Sequence, residues 1–189
     1  MRIIAGKYKS RRIHSYSPPK EHCIKGNISG FRPTTDRAKE TLFNVLNNLI
    51  DFEGVSCLDL FAGSGSLGFE ALSREAERCD FVESSIKQTK IITRTAAELG
   101  CEKNINIHNT DVLRFLNQAE GESYDLIFAD PPYAYENYNE LINGVLNLKF
   151  SIFVLEYGNE EGFMYNINDY EITDKSVGAT KFKIFVSKD

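Results

Sequence analysis

The sequence predicts an α/β fold: a mostly parallel sheet with helices on both faces, ending in an antiparallel hairpin. Three observations carry that prediction. From Val55 onward, short apolar runs alternate with stretches of helical period, as repeated βα units do. Gly63-Ser-Gly-Ser-Leu-Gly68 follows the first apolar run and opens a helix, an arrangement suited to a nucleotide-type pocket. The last two runs, 170–177 and 181–187, have no helix between them. Gly178-Ala179 separates them, so they read as a hairpin.

In chain order, residues 1–31 do not read as a core element. Residues 1–13 alternate loosely, with a short hairpin turning near Gly6. Residues 14–30 contain Pro18-Pro19, Gly26, Asn27 and Gly30 and read as loop. A helix is expected over 34–50, capped by Thr34 or Thr35 behind Pro33, with Leu42, Phe43, Val45, Leu46, Leu49 and Ile50 as its buried stripe. Strands are then expected at 55–61, 79–83, 105–108, 124–129 and 152–156. The helices between them fall at 66–76, 85–99, 112–119 and 137–148. The domain division that follows is a basic extension, 1–31, and a main domain, 32–189.

With 189 residues and 42% apolar content, the chain can bury a substantial core without staples. Its cysteines, Cys23, Cys57, Cys79 and Cys101, form no C-x-x-C pair and no zinc-like spacing with the histidines, so no metal is expected. The basic N-terminus has no apolar core like that of a secretory signal, and no stretch approaches membrane-spanning length. A cytoplasmic, monomeric protein without a membrane partner is the expectation. Net charge is −5, but residues 1–45 carry 10 Lys and Arg against 3 Asp and Glu, and the rest carries 12 against 24. A basic arm on an acidic body points to a polyanion held at one edge.

The chemistry-bearing residues stand at strand ends. Gly63 and Gly65 allow a tight turn and close approach of a ligand to Ser64 and the backbone. Asp59 lies inside an apolar strand, where an unpaired carboxylate is costly, so it should meet hydrogen-bond donors or a cationic ligand. Glu83 ends the second strand, where a carboxylate can accept ribose hydroxyls. Asp111, before Val112, reads as a helix cap and also as a group able to meet an adenine amino group. Asp130-Pro131-Pro132-Tyr133 follows an apolar strand. The prolines remove N–H donors and stiffen the backbone. What remains is a row of acceptors, the Asp130 carboxylate and main-chain carbonyls, with a flat ring behind it. That row suits an exocyclic amino group on a planar base.

These motifs resemble those of class I S-adenosylmethionine-dependent methyltransferases that modify amino groups. Met1-Arg-Ile-Ile-Ala-Gly-Lys7 and Phe31-Arg-Pro-Thr-Thr-Asp-Arg-Ala-Lys-Glu-Thr-Leu-Phe-Asn44 tighten the likeness to the RsmD family of bacterial 16S ribosomal RNA guanine-N2 methyltransferases. The resemblance implies a Rossmann-like, seven-stranded sheet whose last strand is antiparallel, with a small basic N-terminal β extension for RNA. It implies that Gly63 and Gly65 face the methionine part of S-adenosylmethionine, Glu83 the ribose and Asp111 the adenine. It places Arg32, Thr35 and Arg37 near the cofactor. Asp130, Pro131, Pro132 and Tyr133 would hold the acceptor guanine, within a small ribosomal subunit or its assembly intermediate. Arg2, Lys7, Lys9, Arg11, Arg12 and Arg32 would bind RNA phosphates. Residues 14–30 look longer than is usual in the family.

Other readings follow from the same residues. A DNA adenine or cytosine amino-methyltransferase shares the motif, but no target-recognition domain is evident. A protein glutamine methyltransferase leaves the basic arm unexplained. A nicotinamide oxidoreductase leaves Asp130-Pro-Pro-Tyr133 without a role. A non-catalytic RNA-binding or assembly factor on this fold has no need of the motif residues.

Overall fold

A computed structural model describes residues 1–14, 36–132, 134–158 and 169–188. Helix α1 is Asp36–Leu46; the caps expected at Thr34 or Thr35 lie outside the described residues. Strands and helices then alternate: β1 Ser56–Leu60, α2 Ser66–Ser73, β2 Arg78–Val82, α3 Ile86–Leu99, β3 Ile105–His108, α4 Val112–Gln118, β4 Ser123–Ala129, α5 Tyr138–Leu146 and β5 Lys149–Tyr157. The chain closes with β6 Tyr170–Val177 and β7 Thr180–Ser187. These strands form one seven-stranded sheet in the order β3-β2-β1-β4-β5-β7-β6. β1 to β5 run parallel, and β7 inserts antiparallel between β5 and β6. The predicted Rossmann-like architecture with its C-terminal hairpin is therefore present.

Alternation along the strands sorts the core into two layers. Cys57, Cys79, Phe81, Leu126, Phe128 and Val154 pack on one face with α1, α2 and α3 residues such as Phe43, Phe69 and Ile92. Leu58, Leu60, Ile127, Phe153, Leu155 and Phe185 pack on the other with Phe115 and Leu116 of α4 and Leu141 and Val145 of α5. Helix α2 lies very close to the sheet because Gly68 has no side chain. A Cβ there would collide with the Phe81 ring and stand 2.6 Å from Cys79 Sγ.

Two expectations need correction. Helix α1 ends at Leu46, not at residue 50, and 47–49 form a turn. Asn48 spends its side chain on the Asn44 carbonyl, 3.0 Å away, and asparagines compete with helical hydrogen bonding in this way. The N-terminal segment, expected to stay out of the core, is anchored in it. Ile3 and Ile13 are 1% and 0% exposed and join the α1–α3 layer. The hairpin near Gly6 reduces to a single antiparallel bridge, Arg2 with Arg12, flanked by the hydrogen bonds Ile3 N–H to Arg11 O and Ile13 N–H to Met1 O.

What holds that segment down is a buried polar joint. Glu70 of α2, fully buried, accepts from the Ile4 N–H at 2.8 Å and the Ala5 N–H at 3.1 Å. Arg74 Nε donates to the same carboxylate at 3.1 Å, and Lys39 Nζ of α1 stands 3.4 Å from it. Lys39 also donates to the Arg2 carbonyl at 2.7 Å and to Ser66 Oγ at 3.2 Å. Burial lowers the Lys39 pKa from its ordinary value, and Glu70 opposes that shift.

Among the described residues no helix is long and apolar enough to cross a membrane.

Candidate active site

Parallel strands deliver their loops to one edge of the sheet, and the described cavity of about 340 Å³ opens at that edge. The chain leaves β1 through Phe61, which has φ +57°, an unusual conformation for a residue with a large side chain. Its ring meets Tyr135 edge-on at 5.0 Å, and Tyr135 meets Tyr138 of α5 in the same way at 5.4 Å. Gly63 and Gly65 follow with φ +55° and +78°, completing the turn into α2. A Cβ on Gly65 would stand 2.8 Å from the Phe69 ring, so the turn is closely packed from behind.

Three carboxylates converge on this turn. Asp59, 2% exposed, accepts the Gly68 N–H at 2.9 Å. Burial pushes its pKa well above the ordinary carboxylate value, and the negative charges of Asp130 and Glu83 push it further, while the Gly68 N–H pulls it down. Glu83 holds the two sides of the pocket together: one oxygen accepts from Gly63 N–H at 2.8 Å and the other from Ser85 N–H at 2.7 Å. A carboxylate has about four lone-pair sites, so ribose hydroxyls still find acceptors there. Among the described residues no such group is gathered tightly enough to hold a metal ion.

Asp111 is the cap read from the sequence, accepting the Arg114 N–H at 3.1 Å at the start of α4, and it also stands in the cavity wall beside Val112. Gln88, in the first turn of α3, was not anticipated. It lines the cavity with its Oε1 buried and without a hydrogen-bond partner among the described residues. An orphaned acceptor beside an apolar wall, with the Glu83 carboxylate nearby, fits a nucleoside. A carboxylate-rich turn fits a positively charged group.

The end of β4 adds Asp130, Pro131 and Pro132 to the cavity wall. The Pro132 carbonyl accepts the Tyr135 N–H at 2.8 Å, which takes up one of its two lone pairs. The Asp130 carboxylate and the Pro131 carbonyl are the other members of the predicted row of acceptors. The wall also includes Met1, Tyr138, Glu156, Tyr157 and Thr180, none of which the sequence assigned to a site. Glu156 follows the same rule that flagged Glu83: it is an acid at the carboxyl end of a strand. Met1 carries no such signal.

Of the other predicted residues, Ser64 and Gly63 line the cavity, whereas Gly65 is not part of its wall and packs against Phe69 and Phe81. Arg37 is exposed and is not part of the cavity wall. Its helix is turned so that Ala38, Lys39, Leu42 and Phe43 face inward. Thr35, Arg32 and Tyr133 lie outside the described residues. Arg2, Lys7, Lys9, Arg11 and Arg12 are all exposed on the N-terminal segment. Two of them also bind the body: Arg2 pairs with Asp36 at 3.0 Å, and Arg11 donates to the Glu98 carbonyl at 2.6 Å.

Comparison with known proteins agrees with the fold. The family model described as Conserved hypothetical protein 95 matches residues 1–186. The ribosomal RNA small subunit methyltransferase D of Haemophilus influenzae is 39% identical over 135 residues, spanning 70% of this chain and 64% of that relative. YlbH of Bacillus subtilis, described as an rRNA methyltransferase candidate, is 34% identical over 91% of this chain and 84% of its own. Among solved structures, the yhhF chain of Escherichia coli, described as a methyltransferase candidate, superposes with a TM-score of 0.82 at 29% identity, covering 99% of this chain and 97% of that one. Sequence and fold thus agree, and the chain belongs to the Conserved hypothetical protein 95 family, that of the RsmD ribosomal RNA methyltransferases.

Proposed function

We propose that this protein transfers a methyl group from S-adenosylmethionine to N2 of a guanine in small-subunit ribosomal RNA. The observation that carries the reading is the convergence of Asp59, Glu83 and Asp130 on one glycine turn at the end of a parallel sheet. Such a turn favours a cationic nucleoside, and S-adenosylmethionine supplies a methyl group already activated on a positively charged sulfur. Glu83 would hold the ribose, Val112, Asp111 and Gln88 the adenine, and Gly63 and Ser64 the amino-acid part.

The protein's task is then positioning. Guanine N2 is a weak nucleophile because its lone pair is delocalised into the ring. The Asp130 carboxylate and the Pro131 carbonyl would accept its hydrogens and turn the lone pair outward. N2 forms its bond to the methyl carbon as the sulfur–methyl bond breaks, the sulfur keeps the bonding electrons, and N2 loses one proton to Asp130 or to water. Tyr133 would stack on a base drawn out of its helix or loop. Lys7, Lys9 and Arg12 would meet phosphates, so affinity falls with salt. The substrate we favour is the assembled or assembling small subunit, bound by a monomer in the cytoplasm, because an acidic body leaves RNA contacts mainly to the N-terminal segment.

Methyl transfer from labelled S-adenosylmethionine to small subunits lacking the modification, beside naked RNA and DNA, tests this. N2-methylguanosine that vanishes with Asp130→Ala supports it. Label in N6-methyladenine or in protein, or no transfer despite cofactor binding, refutes it.

A further inference from the structure

We infer that Glu156 is the residue that reads the acceptor base as guanine, by accepting its N1–H. This rests on the guanine-N2 reading above and adds a specificity determinant to it.

β4 and β5 are parallel neighbours, and Ala129 pairs with Leu155. Asp130, the first residue after β4, and Glu156 of β5 therefore follow that pair side by side, across a strand spacing of about 4.8 Å. Both line the cavity, and the sheet order puts the ends of β4 and β5 across β1 from the ends of β2 and β3, which lead to Gln88 and Asp111. Ala129 and Leu155 face the α4–α5 layer, so the residues following them belong to the opposite face, the one to which Asp59 also belongs by alternation from Leu58 and Leu60.

A pair of adjacent carboxylates asks for a ligand edge with adjacent donors. The common bases differ in this respect. Adenine and cytosine carry an exocyclic amino group beside a ring nitrogen that is an acceptor. Guanine alone carries its amino group beside a ring N–H. A carboxylate next to the one that holds the amino group gains a hydrogen bond from guanine and meets lone-pair repulsion from adenine or cytosine. Rejection of this kind is strong, because the wrong base leaves a polar group of the site unpaired. A single carboxylate beside the prolines serves any amino group on a planar ring; the second makes the site selective.

The test uses small subunits reconstituted with RNA in which the guanine methylated by the wild-type protein is replaced by 2-aminopurine. That base keeps the amino group but has an acceptor at N1. The wild-type protein is expected to prefer guanine by at least about 10–100-fold in kcat/KM, the worth of one charged hydrogen bond. In Glu156→Gln the amide can donate to 2-aminopurine N1, so the preference should shrink by about 10-fold or more. In Glu156→Asp, which withdraws the carboxylate and keeps its charge, the preference should also shrink. Affinity for S-adenosylmethionine, held at the other end of the cavity, reports folding of each variant. Equal use of the two bases by the wild-type protein overturns the assignment whatever the variants do. A large wild-type preference left unchanged in folded variants overturns the assignment alone. Absence of N2-methylguanosine with the wild-type protein overturns the underlying reaction, and this inference with it.

Discussion

The joint between Lys39 and Glu70 predicts an asymmetry that can be measured. In Glu70→Leu the Lys39 ammonium, 1% exposed, keeps among the described residues its hydrogen bonds to the Arg2 carbonyl and Ser66 Oγ, both neutral acceptors. The Ile4 and Ala5 N–H groups lose their acceptor as well. Stranding one partner of a buried pair costs about 3–5 kcal/mol. The segment can escape that cost by peeling away, but it then exposes Ile3 and Ile13, at roughly 1.5–3 kcal/mol each. Both routes lead to a loss of about 4 kcal/mol. Lys39→Met is milder. Glu70 keeps both N–H donors and Arg74, so the loss is that of ordinary hydrogen bonds, about 1–2 kcal/mol. Urea denaturation of the two variants should separate them by about 2–3 kcal/mol, the difference between those two costs. Hydrogen exchange at the Ile3 and Ile13 amides should quicken in Glu70→Leu if the segment peels. A Lys39→Met loss equal to or larger than that of Glu70→Leu, or a Glu70→Leu loss below about 1 kcal/mol, would refute the reasoning.

Further predictions concern the cavity. Because the Asp59 pKa is raised in the folded protein, its contribution to stability is full below the ordinary 3.8 and is lost as pH rises through the folded value. Asp59→Asn should therefore melt higher than the wild type at neutral pH without ligand, with the gap closing toward acid. It should bind S-adenosylmethionine about 10-fold more weakly, and calorimetry that finds either sign reversed would contradict the charge argument. Glu83→Gln can offer only one oxygen to the Gly63 and Ser85 N–H groups. Its affinity for S-adenosylmethionine and S-adenosylhomocysteine should fall together, by roughly 10–100-fold in titration. Gly68→Ala forces a methyl group against Phe81 and Cys79 and should cost about 1–3 kcal/mol in urea denaturation.

The sequence by itself determined the layered architecture and half of the site. Periodicity is local, so the βα alternation, the glycine turn and the terminal hairpin could be read within short windows. In a parallel sheet the residues at carboxyl strand ends share one edge. That rule brought Asp59, Glu83, Asp111 and Asp130 to one cavity without any knowledge of distances. Only the tertiary structure decided that β7 pairs with β5, that Phe61 takes a positive φ, and that Arg37 faces solvent while Lys39 is buried. The same holds for Ile3 and Ile13 in the core and for Glu156 beside Asp130. These features depend on contacts between residues far apart in the chain, such as Ile4 with Glu70 and Arg2 with Lys39. A basic, loosely alternating N-terminus has the same composition whether it is solvated or clamped by a buried carboxylate. The clamp is chosen by the space that α1 and α2 leave between them, and no local pattern records that space.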